Sequence, residues 1–163
     1  MTGLARLLED LWTLTGAWDA SRYDYARDRD PADLPCWKVL AAARVNPLGK
    51  LGQFTVYTVN GRYIREHLDL DFVSGGNPAR YGYIPDLELW VGQDMDTSEW
   101  ATIALHEYAE ARLMTDEGLS HEEAHDQALL IEGEFRKAFP SATIPDVVDW
   151  LASRKALLRN NAR

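Results

Sequence analysis

Cysteine is nearly absent. Cys36 is the single thiol in 163 residues, which excludes an intrachain disulfide framework and a cysteine zinc ribbon. Basic side chains are in deficit, 17 Lys and Arg against 26 Asp and Glu, for a formal net charge of −9. A nucleic-acid surface needs a basic stripe, so the deficit argues against that class of partner. Long apolar runs are also missing: nothing approaches the roughly 18 residues of a membrane span. Residues 1–18 carry Glu9 and Asp10 within their apolar pattern and lack a basic leader, so they do not read as a signal peptide. Internal repeats and low-complexity tracts are not seen. What is there, 46% hydrophobic and 26% charged residues, is ordinary globular usage and enough chain to bury one core. The expectation is a cytoplasmic protein with neither membrane nor nucleic acid as partner.

The charge is unevenly placed. Between Asp94 and Glu134 stand 12 acidic residues and one basic one, Arg112. The same segment holds His106, His121 and His125, three of the four histidines. A segment this acidic is either a solvated patch or the lining of a cation site.

Hydrophobic periodicity divides the chain. Leu4, Leu7, Leu8, Leu11, Trp12 and Leu14 predict an amphipathic helix over 3–15, and residues 19–35 read as a loop or linker. That places an N-terminal helix and loop in 1–35 and a single metal-binding domain in 36–163. Cys36 beside Trp37 reads as core. Asp33 to Arg44 fits a short helix stopped by Pro47 and Gly49. Gln53 to Val59 alternates as a strand, and Asn60-Gly61 predicts a hairpin with Arg62 to Glu66 returning. Leu68, Leu70 and Phe72 alternate before Gly75-Gly76-Asn77, which reads as a turn needing positive φ or as a lining of the site. Tyr81 to Ile84 and Asp86 to Val91 read as two further strands, with Leu87, Leu89 and Val91 facing one way and Glu88 and Trp90 the other.

From Thr97 the period becomes 3.6. Thr97 or Ser98 caps a helix to about Thr115. Ser120 and Glu123 form a capping box opening a second helix to about Phe139. Pro145 starts a final helix to Leu158. The fold class is therefore α+β: a small sheet of four to five strands, then a helix hairpin and a C-terminal helix, with the helices on one face.

His106 and Glu110 are four apart, so they share one helix face, in a stripe otherwise made of Ile103, Leu113 and Met114. The second helix repeats the pattern: His121, His125 and Glu132 interrupt Ala124, Ala128, Ile131 and Phe135. Polar groups on a buried stripe must be paired or coordinated, because leaving each unsatisfied costs about 1–3 kcal/mol. Folding the helices back at Gly118, with about 1.5 Å of rise per residue, brings His125 level with Glu110 and Glu132 nearly level with His106. His121 falls near the turn, as a cap, a structural residue or an alternative ligand. The simplest closed set is His106, Glu110 and His125 around one ion, a catalytic zinc arrangement with an open fourth position. Glu107, next to a ligand but about 100° around the helix, is placed as general base toward a metal-activated water. Glu132 is placed to receive the free N–H of a ligand histidine. Tyr81 and Tyr83 are both candidates to donate to an oxyanion, and His67 reads as a surface histidine.

The run His106-Glu107-x-x-Glu110 resembles the His-Glu-x-x-His helix of zincin metallopeptidases. Glu110 stands where that motif has its second histidine, and His125 on the next helix stands where the gluzincin branch has a glutamate. The total of two histidines and one carboxylate is kept and its order permuted. The resemblance, which spans about residues 54–135, implies one Zn2+ per chain, a minimal zincin-like fold, and polypeptide or small amide or ester substrates. It also implies an edge strand ahead of the helix to hold an extended substrate, at Leu87, Leu89 and Trp90. The Gly75-Gly76 turn, the Ile84-Pro85 strand and the helix pair further resemble small bacterial and phage proteins. Two other functions fit the same residues. Glu122-x-x-His125 is the ligand pair of carboxylate-bridged di-iron bundles, and an acidic helix pair without an ion can serve a non-enzymatic binding protein.

Overall fold

The computed structural model of the chain describes residues 37–161. The expected N-terminal helix, the loop over 19–35 and Cys36 lie outside them. Nine elements follow in order: α1 (Trp37–Ala43), β1 (Arg44–Leu51), β2 (Phe54–Val59), α2 (Gly61–His67), β3 (Gly75–Gly76), β4 (Glu88–Gly92), α3 (Trp100–Asp116), α4 (His121–Ala138) and α5 (Ile144–Asn161). The class is α+β, with one mixed four-stranded sheet in the order β1-β2-β4-β3. No described helix is long and apolar enough to cross a membrane.

The hairpin comes one strand earlier than the sequence implies. β1 and β2 pair antiparallel, with Leu51 opposite Phe54 across Gly52 and Gln53. Pro47 and Gly49, expected to end a helix, sit inside β1 and coincide with its register shifts. Pro47 is tolerated because β1 is an edge strand, where a missing N–H costs no ladder bond. Asn60-Gly61 is not a hairpin turn. The Asn60 side chain accepts from the Tyr63 N–H at 3.0 Å and opens α2, so Arg62 to Glu66 is helical. Asparagine serves turns and N-caps by the same local hydrogen bond, and here the cap wins because β2 pairs in parallel with β4. A parallel pair needs a crossover, which α2 and the segment after it provide.

Leu68 to Phe72 and Tyr81 to Ile84 form turns instead of strands. Their apolar residues serve a second core: Phe72 and Ile84 pack with Val59, Trp90, Ala43 and Ile64. The opposite face of the sheet carries Phe54, Val56, Leu89 and Val91 against Leu105 of α3, Ile131 and Phe135 of α4, and Val147 and Trp150 of α5. Helices therefore cover both faces, correcting the one-face expectation. The alternation in β4 is as read from sequence, with Leu89 and Val91 on one core and Trp90 on the other. Each such fully buried large side chain contributes about 1.5–3 kcal/mol. Trp37 is 73% exposed and is not core.

α3 is buried nearly all round, including Ala101, Ala104, Ala109 and Ala111, whose small side chains let sheet and helices close on it. It starts at Trp100 rather than at Thr97 or Ser98, because the Ser98 hydroxyl donates to Asp96 instead of capping the helix. Gly118, at φ +67°, turns the chain into α4. Ser120 and Glu123 make the expected capping box there. α5 begins at Ile144, one residue before Pro145.

Candidate metal centre

A helix buried on all sides has no solvated face for polar residues. His106, Glu107 and Glu110 of α3 are nonetheless buried, at 7%, 8% and 3% exposure. They are satisfied by one another, by α4 and by the residue that follows β3.

Three atoms converge. His106 Nε2 lies 3.1 Å from His125 Nδ1 and 3.4 Å from Glu110 Oε2, and His125 Nδ1 lies 3.0 Å from Glu110 Oε2. Three donors about 2.0–2.1 Å from one tetrahedral ion stand about 3.3 Å apart. The triangle is thus one face of a zinc-sized tetrahedron, and the donor set of two imidazoles and a carboxylate suits that ion. These are the three residues that the helix heights select.

The remaining atoms of the three side chains are held from behind. His106 Nδ1 lies 2.9 Å from Glu132 Oε2. A proton on Nδ1 donated to that carboxylate leaves the Nε2 lone pair facing the triangle. Glu132 takes a 2.7 Å hydrogen bond from Arg136, which also pairs with Glu99. Glu132 therefore supports His106, as its height on α4 implies, and does not join the triangle. Glu110 Oε1 accepts from Asn77 Nδ2 at 2.9 Å, leaving Oε2 for the triangle. His121 Nε2 stands 3.5 Å from Glu110 Oε1, beside the carboxylate and outside the triangle. The His125 side chain is 44% exposed and that of His121 35%, so the site opens on their side.

Glu107 is next to the triangle. Its Oε2 accepts from the same Asn77 Nδ2 at 2.9 Å, so one fully buried amide bridges Glu107 and Glu110. Asn77 Oδ1 accepts from the Arg80 N–H at 3.0 Å, which fixes the amide's orientation. Burial, and then the charge of Glu110, push the Glu107 carboxyl up to about 7. Burial pushes Glu110 the same way, but hydrogen bonds from His106, Asn77 and His125 outweigh it and hold its pKa below the usual range. Two carboxylates three residues apart are thus driven in opposite directions, one toward proton exchange near neutrality and one toward permanent charge. A cavity of about 210 Å³ adjoins Glu107 and His106, lined also by Ser74, Met95, Ile103, Glu132 and Arg136.

Asn77 is the residue that the sequence undervalues. Its only signal is its place after two glycines. Those glycines adopt no positive φ, against the expected turn. They are needed for close approach: a Cβ on Gly75 would lie 2.7 Å from Ile103 Cγ2 and 2.8 Å from Glu107 Oε1. Backbone pressed this tightly onto α3 delivers Asn77 to the two carboxylates.

The expected substrate edge strand is corrected too. Leu87, Leu89 and Trp90 belong to or border β4, which pairs with β2 on one side and β3 on the other. Leu89 and Trp90 are fully buried. The sheet edge nearest the site is β3. Tyr83 is committed to Asp69 at 3.3 Å. The Tyr81 ring packs beside Gly76. His67 stacks on Tyr63, away from the site. Glu122 is exposed and outside the cluster, so the di-iron motif Glu122-x-x-His125 does not assemble. Comparison with family models, with curated proteins and with solved structures gives no match.

Proposed function

We propose that this chain is a mononuclear zinc hydrolase acting on amide or ester bonds, peptidase-like in its chemistry. The observation that carries the reading is the triangle of His106 Nε2, His125 Nδ1 and Glu110 Oε2, spaced for one tetrahedral ion with a fourth position left over. Zinc in such a site supplies a polarised water near neutral pH and a Lewis acid for the substrate oxygen. Glu107 is the general base. It takes one proton as the water oxygen adds to the carbonyl carbon, and returns it to the leaving nitrogen or oxygen as that bond breaks. Burial pushes the Glu107 carboxyl toward its protonated form, which favours its taking up a proton. Glu132 holds His106 in its ligating tautomer, and Arg136 holds Glu132. An extended substrate is aligned by β3 rather than β4, since β3 borders Glu107. Glu110 would make a bound ion a weaker Lewis acid than a neutral histidine would, and the hydrogen bond from Asn77 to Oε1 would offset this by withdrawing charge.

The test is metal content and turnover together. The wild-type chain should carry one zinc. His125→Ala should lose it. Glu107→Gln should keep it and lower hydrolysis of a peptide library by about 10²–10⁴-fold, the usual worth of a positioned base. Loss of zinc from Glu107→Gln would make Glu107 a ligand. Two irons per chain would favour the carboxylate-bridged alternative, and no tightly held metal the non-enzymatic binding protein.

A further inference from the structure

Most described arginines of this acidic chain are neutralised. Arg44, Arg62, Arg65, Arg112 and Arg136 each pair with a carboxylate. Arg80 is exposed and forms no ion pair among the described residues. Its guanidinium instead lies 5.6 Å over the Tyr81 ring.

Its position is set by the site. The Arg80 N–H donates to Asn77 Oδ1 at 3.0 Å, and the Tyr81 N–H donates to Asn77 O at 2.9 Å. The side chain of that asparagine holds Glu107 and Glu110. Tyr81 is packed in place, since a Cβ on Gly76 would lie 2.9 Å from its Cδ2. Arg80 is thus an exposed side chain at the rim of the cluster, one hydrogen bond from the asparagine that holds Glu107 and Glu110.

A guanidinium has five N–H donors at its edge, and the Tyr81 ring meets its face. A ring beneath it pre-aligns the fork that matches a carboxylate. We propose that Arg80 binds a carboxylate of the substrate, which narrows the hydrolase to amides or esters carrying a free carboxylate close to the cleaved bond. This rests on the metallohydrolase reading and names its substrate class.

The test uses the full chain loaded with cobalt in place of zinc. Two thiols, 3-mercaptopropionate and 3-mercaptopropanamide, are titrated, and thiolate binding at the metal is read from its charge-transfer absorption. The carboxylate should bind at least about tenfold more tightly than its amide, as a charge-assisted bidentate contact requires. Arg80→Ala should erase the preference without changing cobalt content or affinity for the amide, and Arg80→Lys should restore only part of it. Equal affinities in the wild type, or an undiminished preference in Arg80→Ala, would overturn the proposal. Displacement of the probe by an N-acetyl amino acid alone would identify a small acid. Equal displacement by a tripeptide with a free C-terminus would identify a peptide end, and displacement by neither would also overturn it. Failure to take up one cobalt per chain would sink the metallohydrolase reading itself. Stoichiometric cobalt without a carboxylate preference would sink this inference alone.

Discussion

Asn77→Ala is the sharpest probe of the centre, because one amide touches both halves of it. The side chain is fully buried and its Nδ2 donates to Glu107 and Glu110, each at 2.9 Å. Its Oδ1 takes the Arg80 N–H at 3.0 Å. A hydrogen bond to a charged group contributes about 1.5–3 kcal/mol and a neutral one about 1 kcal/mol. The three bonds share atoms and do not add fully, so the metal-free protein should lose about 3–5 kcal/mol. At about 2–4 °C per kcal/mol for a chain of this size, the thermal midpoint should fall by about 6–20 °C. Zinc changes the result in a definite way. A bound cation opposes the charge on Glu110, so that carboxylate depends less on Asn77, and the loss should shrink by about 1 kcal/mol or more. Urea unfolding with chelator and with excess zinc measures both values. A loss under about 1 kcal/mol in both conditions would refute the bridging role. Equal losses with and without zinc would sever Asn77 from the metal ligands.

Gly75→Ala forces a methyl group to within 2.7 Å of Ile103 Cγ2 and 2.8 Å of Glu107 Oε1. It should cost about 1–3 kcal/mol, the usual penalty for overpacking, and should lower turnover more than zinc content; unchanged unfolding would refute the close approach. Zinc affinity should rise with pH. Burial opposes protonation of His106 in the metal-free protein, but hydrogen bonds to Glu110 and Glu132 and the charge of Glu107 prevail and raise its pKa to about 10. The ion needs the lone pair that this proton occupies, so affinity should climb by up to about tenfold per pH unit toward pH 10. Proton release on zinc addition in weak buffer checks this, and a flat profile would remove His106 from the ligand set. The same raised pKa stabilises the metal-free fold fully below about pH 6.5, and that contribution fades as pH rises through about 10.

The convergence of His106, Glu110 and His125 was legible in the sequence because helical geometry is local. A rise of about 1.5 Å and 3.6 residues per turn put His106 and Glu110 on one face. Two clear helix ends, at Gly118 and at the Ser120 capping box, then set the heights of His125 and Glu132. The C-terminal helix and the two-faced pattern of β4 were local in the same sense. The β half was harder to read. Asn60-Gly61 carries the same side-chain chemistry in a turn and in a cap, and only the parallel pairing of β2 with β4 selects the cap. Pro47 and Gly49 are breakers in a helix yet fit an edge strand, and edges exist only once strands have neighbours. Leu89 and Trp90 were assigned to an edge that β3 occupies.

Sequence by itself therefore determined the fold class, the helix hairpin and the residues that converge at its centre, since their separations are fixed along two helices. Tertiary structure alone decided how Glu107 and Glu110 are held. Glu110 is shared between the triangle and Asn77, and Glu107 is buried against a glycine strand. Those roles depend on contacts between residues some 30 positions apart. Spacing along a chain does not record such contacts until the sheet is closed against the helix.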